Sequence, residues 1–152
     1  MTAENVVPGD LCTVEWSVDG VFAPAGADAI PGCKTVGIPE ENPEYRNRTS
    51  LTSPGRHHEW GVGMTDTSEL TLSCFYSTDL YKKALGFKES RKPIHIRVSI
   101  VPEEGVQSTG DVIEYKAYVN PSIPTTDFDG DLMTDLKLRP TGIVSWTEGA
   151  AL

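Results

Sequence analysis

A chain of 152 residues with 38% hydrophobic content is long enough to bury one proper core and short enough to be a single domain spanning 1–152. Its formal net charge of −9 excludes a general nucleic-acid binder, because neutralising phosphates takes an excess of lysine and arginine. It leaves open a wall along which DNA passes without being held.

The three cysteines, Cys12, Cys33 and Cys74, contain no Cys-x-x-Cys, so zinc ribbons and dithiol redox motifs have no support. Buried free thiols in a reducing compartment are expected rather than a disulfide. The opening MTAENVVPGDL has no basic region or apolar run, and nothing approaches the ~20 apolar residues of a membrane span. A cytoplasmic site of synthesis or assembly is the expectation, with no membrane partner.

Residues 1–9 read as an extended arm punctuated by Pro8-Gly9. From Leu11 to Val18, Cys12, Val14, Trp16 and Val18 alternate with Thr13, Glu15 and Ser17. With Asp19-Gly20 as the turn and Val21-Phe22 returning, 11–23 predict a first hairpin. Ile30 to Ile38 predict a second strand, interrupted by Pro31-Gly32. The segment 39–59 then changes character: PEENPEYRNRTSLTSPG is charged, turn-rich and offers only Tyr45 and Leu51 for burial. It far exceeds the usual connection of ~4–6 residues, so it reads as disordered or as an arm ordered against a neighbouring molecule. Arg46 and Arg48 beside Glu40, Glu41 and Glu44 give it both signs of charge, which suits self-association. His57 and His58, placed on a strand, point to opposite sides and do not chelate together.

Glu69–Tyr76 predict a strand with Leu70, Leu72, Cys74 and Tyr76 on its buried face. Ser77-Thr-Asp79 offers a cap to a short helix over Leu80–Leu85, with Gly86 as its stop. Its apolar stripe is Leu80, Ala84 and Phe87, or alternatively Tyr81 and Leu85. Lys82, Lys83, Lys88, Arg91 and Lys92 cluster on or after it, either as a solvated face or as a patch for an acidic partner subunit. Residues 93–101 and 111–119 predict an antiparallel pair with Ile94, Ile96, Val98, Ile100, Ile113, Tyr115, Ala117 and Val119 inward. The closing stretch opens with Asp127-Phe-Asp-Gly-Asp131 and alternates through Leu132, Thr134, Leu136 and Leu138. Pro140 removes a backbone donor and Gly142 allows a bend, so the strand is expected to break and resume over Ile143–Trp146. The fold class is mainly β, with one short helix.

No Gly-x-Ser-x-Gly, phosphate-cradling glycine loop or His-Glu-x-x-His is present, so neither an enzyme nor a cofactor is expected. Asp127, Asp129 and Asp131 match the first ligand positions of a calcium loop. Leu132 stands where its glycine is required and Leu138 where its bidentate glutamate belongs. Capping of a turn is the commoner use of such aspartates.

The closing run Asp129-Gly130-Asp131-Leu132, then Leu136-Lys-Leu-Arg-Pro140-Thr-Gly142, then Val144-Ser-Trp146 resembles the close of the tail tube (major tail) proteins of long-tailed bacteriophages. Ile30-Pro-Gly-Cys-Lys-Thr35 and the order of elements across nearly the whole chain share that resemblance. The basic region 82–92 has no assignment from it. The resemblance implies a β-sandwich or barrel of two packed antiparallel sheets with a flanking helix, and a structural virion protein without metal or cofactor. Hexameric rings would stack into a tube that DNA crosses without specific binding. Partners would be further copies of the chain and other tail proteins: tape measure, terminator, baseplate or distal tail. Glu40, Glu41, Glu44, Tyr45, Arg46 and Arg48 would lie on an inter-ring loop, with Glu114 and Asp135 on the lumen wall. Asp129, Gly130, Asp131, Pro140, Gly142 and Trp146 would be structural. A tail terminator or baseplate ring protein, and a calcium-binding β-sandwich adhesion module, are the rival readings.

Overall fold

A computed structural model describes residues 12–22, 29–31, 33–34, 37–125 and 128–152. In chain order these form β1 (Thr13–Ser17), β2 (Glu41–Asn47), β3 (Trp60–Thr67), β4 (Leu70–Phe75), α1 (Thr78–Ser90), β5 (Ile94–Ser99), β6 (Val112–Ser122) and β7 (Met133–Thr147). Strands with period-two patterning pair into a five-stranded antiparallel sheet of order β1-β5-β6-β7-β4, and β2 and β3 form a separate two-stranded sheet. The architecture is mainly β with two sheets and one helix, as expected.

One face of the larger sheet carries the core. Val14 and Trp16, Ile94, Ile96 and Val98, Ile113, Tyr115, Ala117 and Val119, Leu72 and Cys74, and Leu136 and Leu138 are all buried there. Helix α1 completes the cluster with Leu80 and Ala84, while Phe87 meets Trp16 edge-on at 5.1 Å between ring centroids. Of the two stripes open to the helix, Leu80, Ala84 and Phe87 is the one used. Ser77 caps it, its side chain accepting from Leu80 N at 3.3 Å.

The helix does not stop at Gly86. It runs to Ser90 and closes at Arg91, which adopts φ +55° and donates its N–H to Lys88 O. A Cβ at Gly86 would meet nothing, so this glycine faces solvent and costs only its propensity, about 1 kcal/mol. Phe87, packed against the core just beyond it, holds the next turn in place.

β7 likewise runs through the expected break. Past Leu138 it has β6 on one side only, since β4 ends its pairing at Leu70↔Leu138, and a proline is tolerated at such an edge. The predicted bend is a bulge within the strand. Register moves from Lys116↔Thr141 to Glu114↔Ser145, with Gly142 at φ +83°.

The predicted hairpin over 11–23 is not a pair of strands. Asp19 Oδ1 accepts from Ser17 Oγ at 2.8 Å and Val21 N at 3.1 Å, a side-chain turn that directs the chain away. These bonds hold the Asp19 carboxyl below its ordinary pKa, Ser17 contributing most. β1 pairs instead with β5. Both its faces are buried: Glu15 and Ser17 are covered as well as Val14 and Trp16, whereas Val18 is exposed. Arg97 donates to both carboxylate oxygens of Glu15 at 3.1 Å, the pairing that a buried carboxylate requires. The strand expected over Ile30–Ile38 reduces, among the described residues, to single bridges at Ala29 and Cys33.

The segment 39–59 has local order of its own. β2 pairs antiparallel with β3, a strand without counterpart in the sequence reading, from Glu41↔Thr67 to Asn47↔Trp60 with a register shift between Pro43 and Tyr45. At the tip, Arg48 N donates to Glu59 O at 2.7 Å, Glu59 N to Thr49 Oγ1 at 2.8 Å, and Ser53 Oγ to Glu59 Oε2 at 3.1 Å. His57 and His58 lie in this tip rather than on a strand, with His58 Nδ1 3.3 Å from Thr49 Oγ1.

Candidate assembly surfaces

A two-stranded ribbon has no second layer to cover its side chains, so the placement of its apolar residues decides what it does. Tyr45 stands opposite Val62, and Trp60, Val62 and Met64 recur at the strand period. All four are exposed. Tyr45 and Trp60 line one shallow depression of about 350 Å³. On the other side Arg46 and Arg48 lie across Gly63 and Gly61; a Cβ at Gly61 would collide with the Arg48 guanidinium. The glycines thus let two long cations lie flat on the ribbon. Among the described residues none of Glu40, Glu41, Glu44, Arg46 and Arg48 forms an ion pair.

The ribbon joins the body at its base. Ser68 N donates to Glu40 O at 3.0 Å, and Val144 N donates to Glu41 Oε1 at 2.9 Å. This places one predicted arm carboxylate on the edge of β7 left open beyond Leu138. Between ribbon and edge runs a groove of about 550 Å³ lined by Glu41, Met64–Thr67 and Pro140–Ile143. Ile143 and Trp146 project from the same half of β7, both exposed. Trp146, expected as a structural close, stands opposite Ile113 with 60% of its surface accessible.

The sheet face opposite the core holds both predicted wall residues, and it is mixed in sign. Glu114 is exposed between Arg97 and Ser145. Asp135 is half-buried, pairs across from Ser122 and accepts from Ser73 Oγ at 3.1 Å. Lys116, Lys137 and Arg139 share this face by register, flanked by His95. Sequence alone does not show this, because the cations come from two strands, β6 and β7.

Asp129, Gly130 and Asp131 form an exposed turn before β7, and Asp127 lies outside the described residues. Among the described residues no group of three or more His, Cys, Asp or Glu side chains gathers in a way that could hold a metal ion. Nor is any described helix long and apolar enough to cross a membrane. On the basic helix, Lys83 Nζ lies 5.4 Å from the Trp16 ring centroid, so at least one cation there also shields the core. The C-terminal segment is tied back by Asp111, whose Oδ1 accepts from Gly149 N and Gln107 Nε2 at 2.8 Å each. These bonds, that from Gly149 first, hold its carboxyl below the ordinary aspartate value.

No family model and no curated protein sequence matches the chain. Solved structures do match it. A chain of the sheath/tube terminator of an extracellular contractile injection system, PVC, in its extended state is 13% identical, with TM-score 0.70 over 96% of this chain and 99% of that one. A chain from the virion of a native gene transfer agent is 14% identical, with TM-score 0.66 over 93% and 99%. The SPP1 tail tube protein is 14% identical, with TM-score 0.60 over 95% and 81%. At such identities the likeness is one of fold: the chain has the phage tail tube fold.

Proposed function

We propose that this chain is a structural protein of a phage or phage-like tail, and that it assembles as hexameric rings stacked into a tube through which DNA is delivered. The observation that carries this reading is the β2–β3 ribbon. It presents Tyr45, Trp60, Val62 and Met64 outward on a chain whose fold is shared with tail tube proteins. Burying such side chains against a neighbour is worth about 1.5–3 kcal/mol each, far more than the ribbon gains alone. Glu40, Glu41, Glu44, Arg46 and Arg48 then serve as the polar surround of an inter-ring contact. Repetition around a ring multiplies each weak contact. The anti-feeding prophage baseplate, a six-fold symmetrised structure, contains a chain of similar fold.

Glu114 and Asp135 belong to the conduit wall in this reading. Beside Lys116, Lys137 and Arg139 they act locally, offsetting the charge of cations that would otherwise grip phosphate at every copy. The field of a carboxylate persists over a Debye length of ~8 Å, enough to reach cations on neighbouring strands. Partners are further copies of the chain and the tape measure, terminator and baseplate or distal tail proteins. The place of action is the virion tail, assembled in a host cytoplasm, and no chemical step is required of any residue.

A terminator or baseplate ring protein is the second reading, favoured by the likeness to the sheath/tube terminator structure. Electron microscopy of the purified chain separates the two. Long tubes support the tube reading, isolated rings the terminator or baseplate reading, and monomers stabilised by calcium the adhesion module.

A further inference from the structure

Cys33 and Cys74, 41 positions apart, face each other across an isolated antiparallel bridge, with Lys34 N donating to Ser73 O at 2.8 Å on its flank. A bond from the residue after one partner to the residue before the other marks the non-hydrogen-bonded kind of pair. In that kind the Cα atoms stand about 4.5 Å apart and the side chains are closest. This separation lies inside the range of about 4.4–6.8 Å that a disulfide spans. The Cys74 thiol already donates to Cys33 Sγ at 3.3 Å. Side-chain rotation alone closes the remaining gap to a bond of ~2.05 Å.

We propose that Cys33 and Cys74 are a disulfide site, closed by a small-molecule disulfide oxidant, that staples residues 33–34 over the outer edge of β4. Cys33 is half-buried and Cys74 buried, so the oxidant meets Cys33 first. The Cys33 thiolate attacks one sulfur of glutathione disulfide, breaks its S–S bond, and releases one glutathione thiolate. Cys74 then loses its proton to water or buffer and attacks Cys33 Sγ, expelling the second glutathione. The protein loses two protons and two electrons, and the oxidant becomes two glutathione thiols. Its hydrogen bond to Cys33, and then burial, push the Cys74 thiol up, which makes the closing step the slow one and faster as pH rises.

The staple has two consequences. β4 is a terminal strand of its sheet, and a bonded cover cannot be exchanged for a strand of another molecule. The closed loop also contains the whole β2–β3 ribbon, so it removes much conformational freedom from the unfolded chain while leaving the ribbon's outer face uncovered. Neither consequence depends on the tail reading.

The test uses the full chain carrying Cys12→Ser, kept folded in glutathione disulfide or in dithiothreitol. Both remaining thiols should disappear together, and the mass should fall by two hydrogens. A peptide joining residues 33 and 74 should appear, and thermal unfolding should rise by about 10 °C. Adding Cys74→Ala should trap glutathione on Cys33. Adding Cys33→Ser, a change at the half-buried partner, should leave Cys74 unmodified in the folded protein. Two thiols that persist until denaturant is added would overturn the site. So would a glutathione adduct on Cys33 that never resolves while Cys74 is present, or an oxidised form that melts no higher than the reduced one.

Discussion

The five-stranded body and the β2–β3 ribbon use the same element for opposite ends. In the body β5 and β6 alternate a buried side chain with a more accessible one, and the helix supplies a second layer, so pairing and burial reinforce each other. In the ribbon the backbone ladder forms, but no second layer covers Tyr45, Trp60, Val62 or Met64. An isolated two-stranded hairpin is marginal in water. The body therefore completes its stability within one chain, whereas the ribbon leaves apolar side chains uncovered that a neighbour would bury in the proposed tube.

Breaking the body should have the largest effect. Leu136→Ala removes a fully buried side chain from the central pairing of β7 and should destabilise the monomer by about 3–4 kcal/mol in urea titrations. Less than 1.5 kcal/mol would mean that the core is loosely packed. Next, Tyr45→Ala with Trp60→Ala should abolish higher assembly, costing about 2 kcal/mol for each anchor per contact, while moving monomer stability by no more than about 0.5 kcal/mol. Sedimentation and denaturation of the same sample separate the two, and normal assembly would place the interface elsewhere.

Tyr115→Phe probes the joint between the regions. The hydroxyl donates to the buried Gly37 carbonyl at 2.7 Å, and burial first pushes its pKa up. Losing the donor should cost about 1–2 kcal/mol and loosen the path into the ribbon, measurable as faster hydrogen exchange at the amides of Ile38, Glu40 and Glu41. The smallest effect concerns Asp111. Its folded pKa is depressed, so its contribution is complete above the ordinary aspartate value and is lost as pH falls through the folded value. The Gly149 amide resonance should titrate below the ordinary range, and Asp111→Asn should remove that titration without affecting the body. Titration at the ordinary value would mean that the C-terminal tie is not formed in solution.

The regions also differ in how far they could be read in advance. β4 through β7 were legible because alternation at period two is a strong signal, and β5 with β6 and β6 with β7 pair as consecutive strands of the chain. The ribbon was not. Pro43 and the run of charges resemble a loop, and Gly61 and Gly63 hide the Trp60, Val62, Met64 alternation of β3. Their reason for being there is Arg46 on the facing strand and Arg48 just past its end, a tertiary fact. The helix stop at Gly86 failed for a similar reason: local propensity of about 1 kcal/mol yields to the packing of Phe87. Of the predicted site residues, Glu41 and Tyr45 acquired specific surroundings, whereas Glu114 and Asp135 turned out to share their face with cations from neighbouring strands.

By itself the sequence determined the mainly β class, the inward set on β5 and β6, the capped helix start at Ser77 and the alternation that opens β7, because all of these follow from periodicity and short-range chemistry. Only the tertiary structure decided that Pro140 lies inside a continuing strand, that 39–59 is half of a ribbon with an uncovered apolar face, and that Cys33 meets Cys74. Each of those depends on what a residue meets from a distant part of the chain: a missing neighbour beyond Leu138, a second strand at 60–67, and a bridge across the edge of β4.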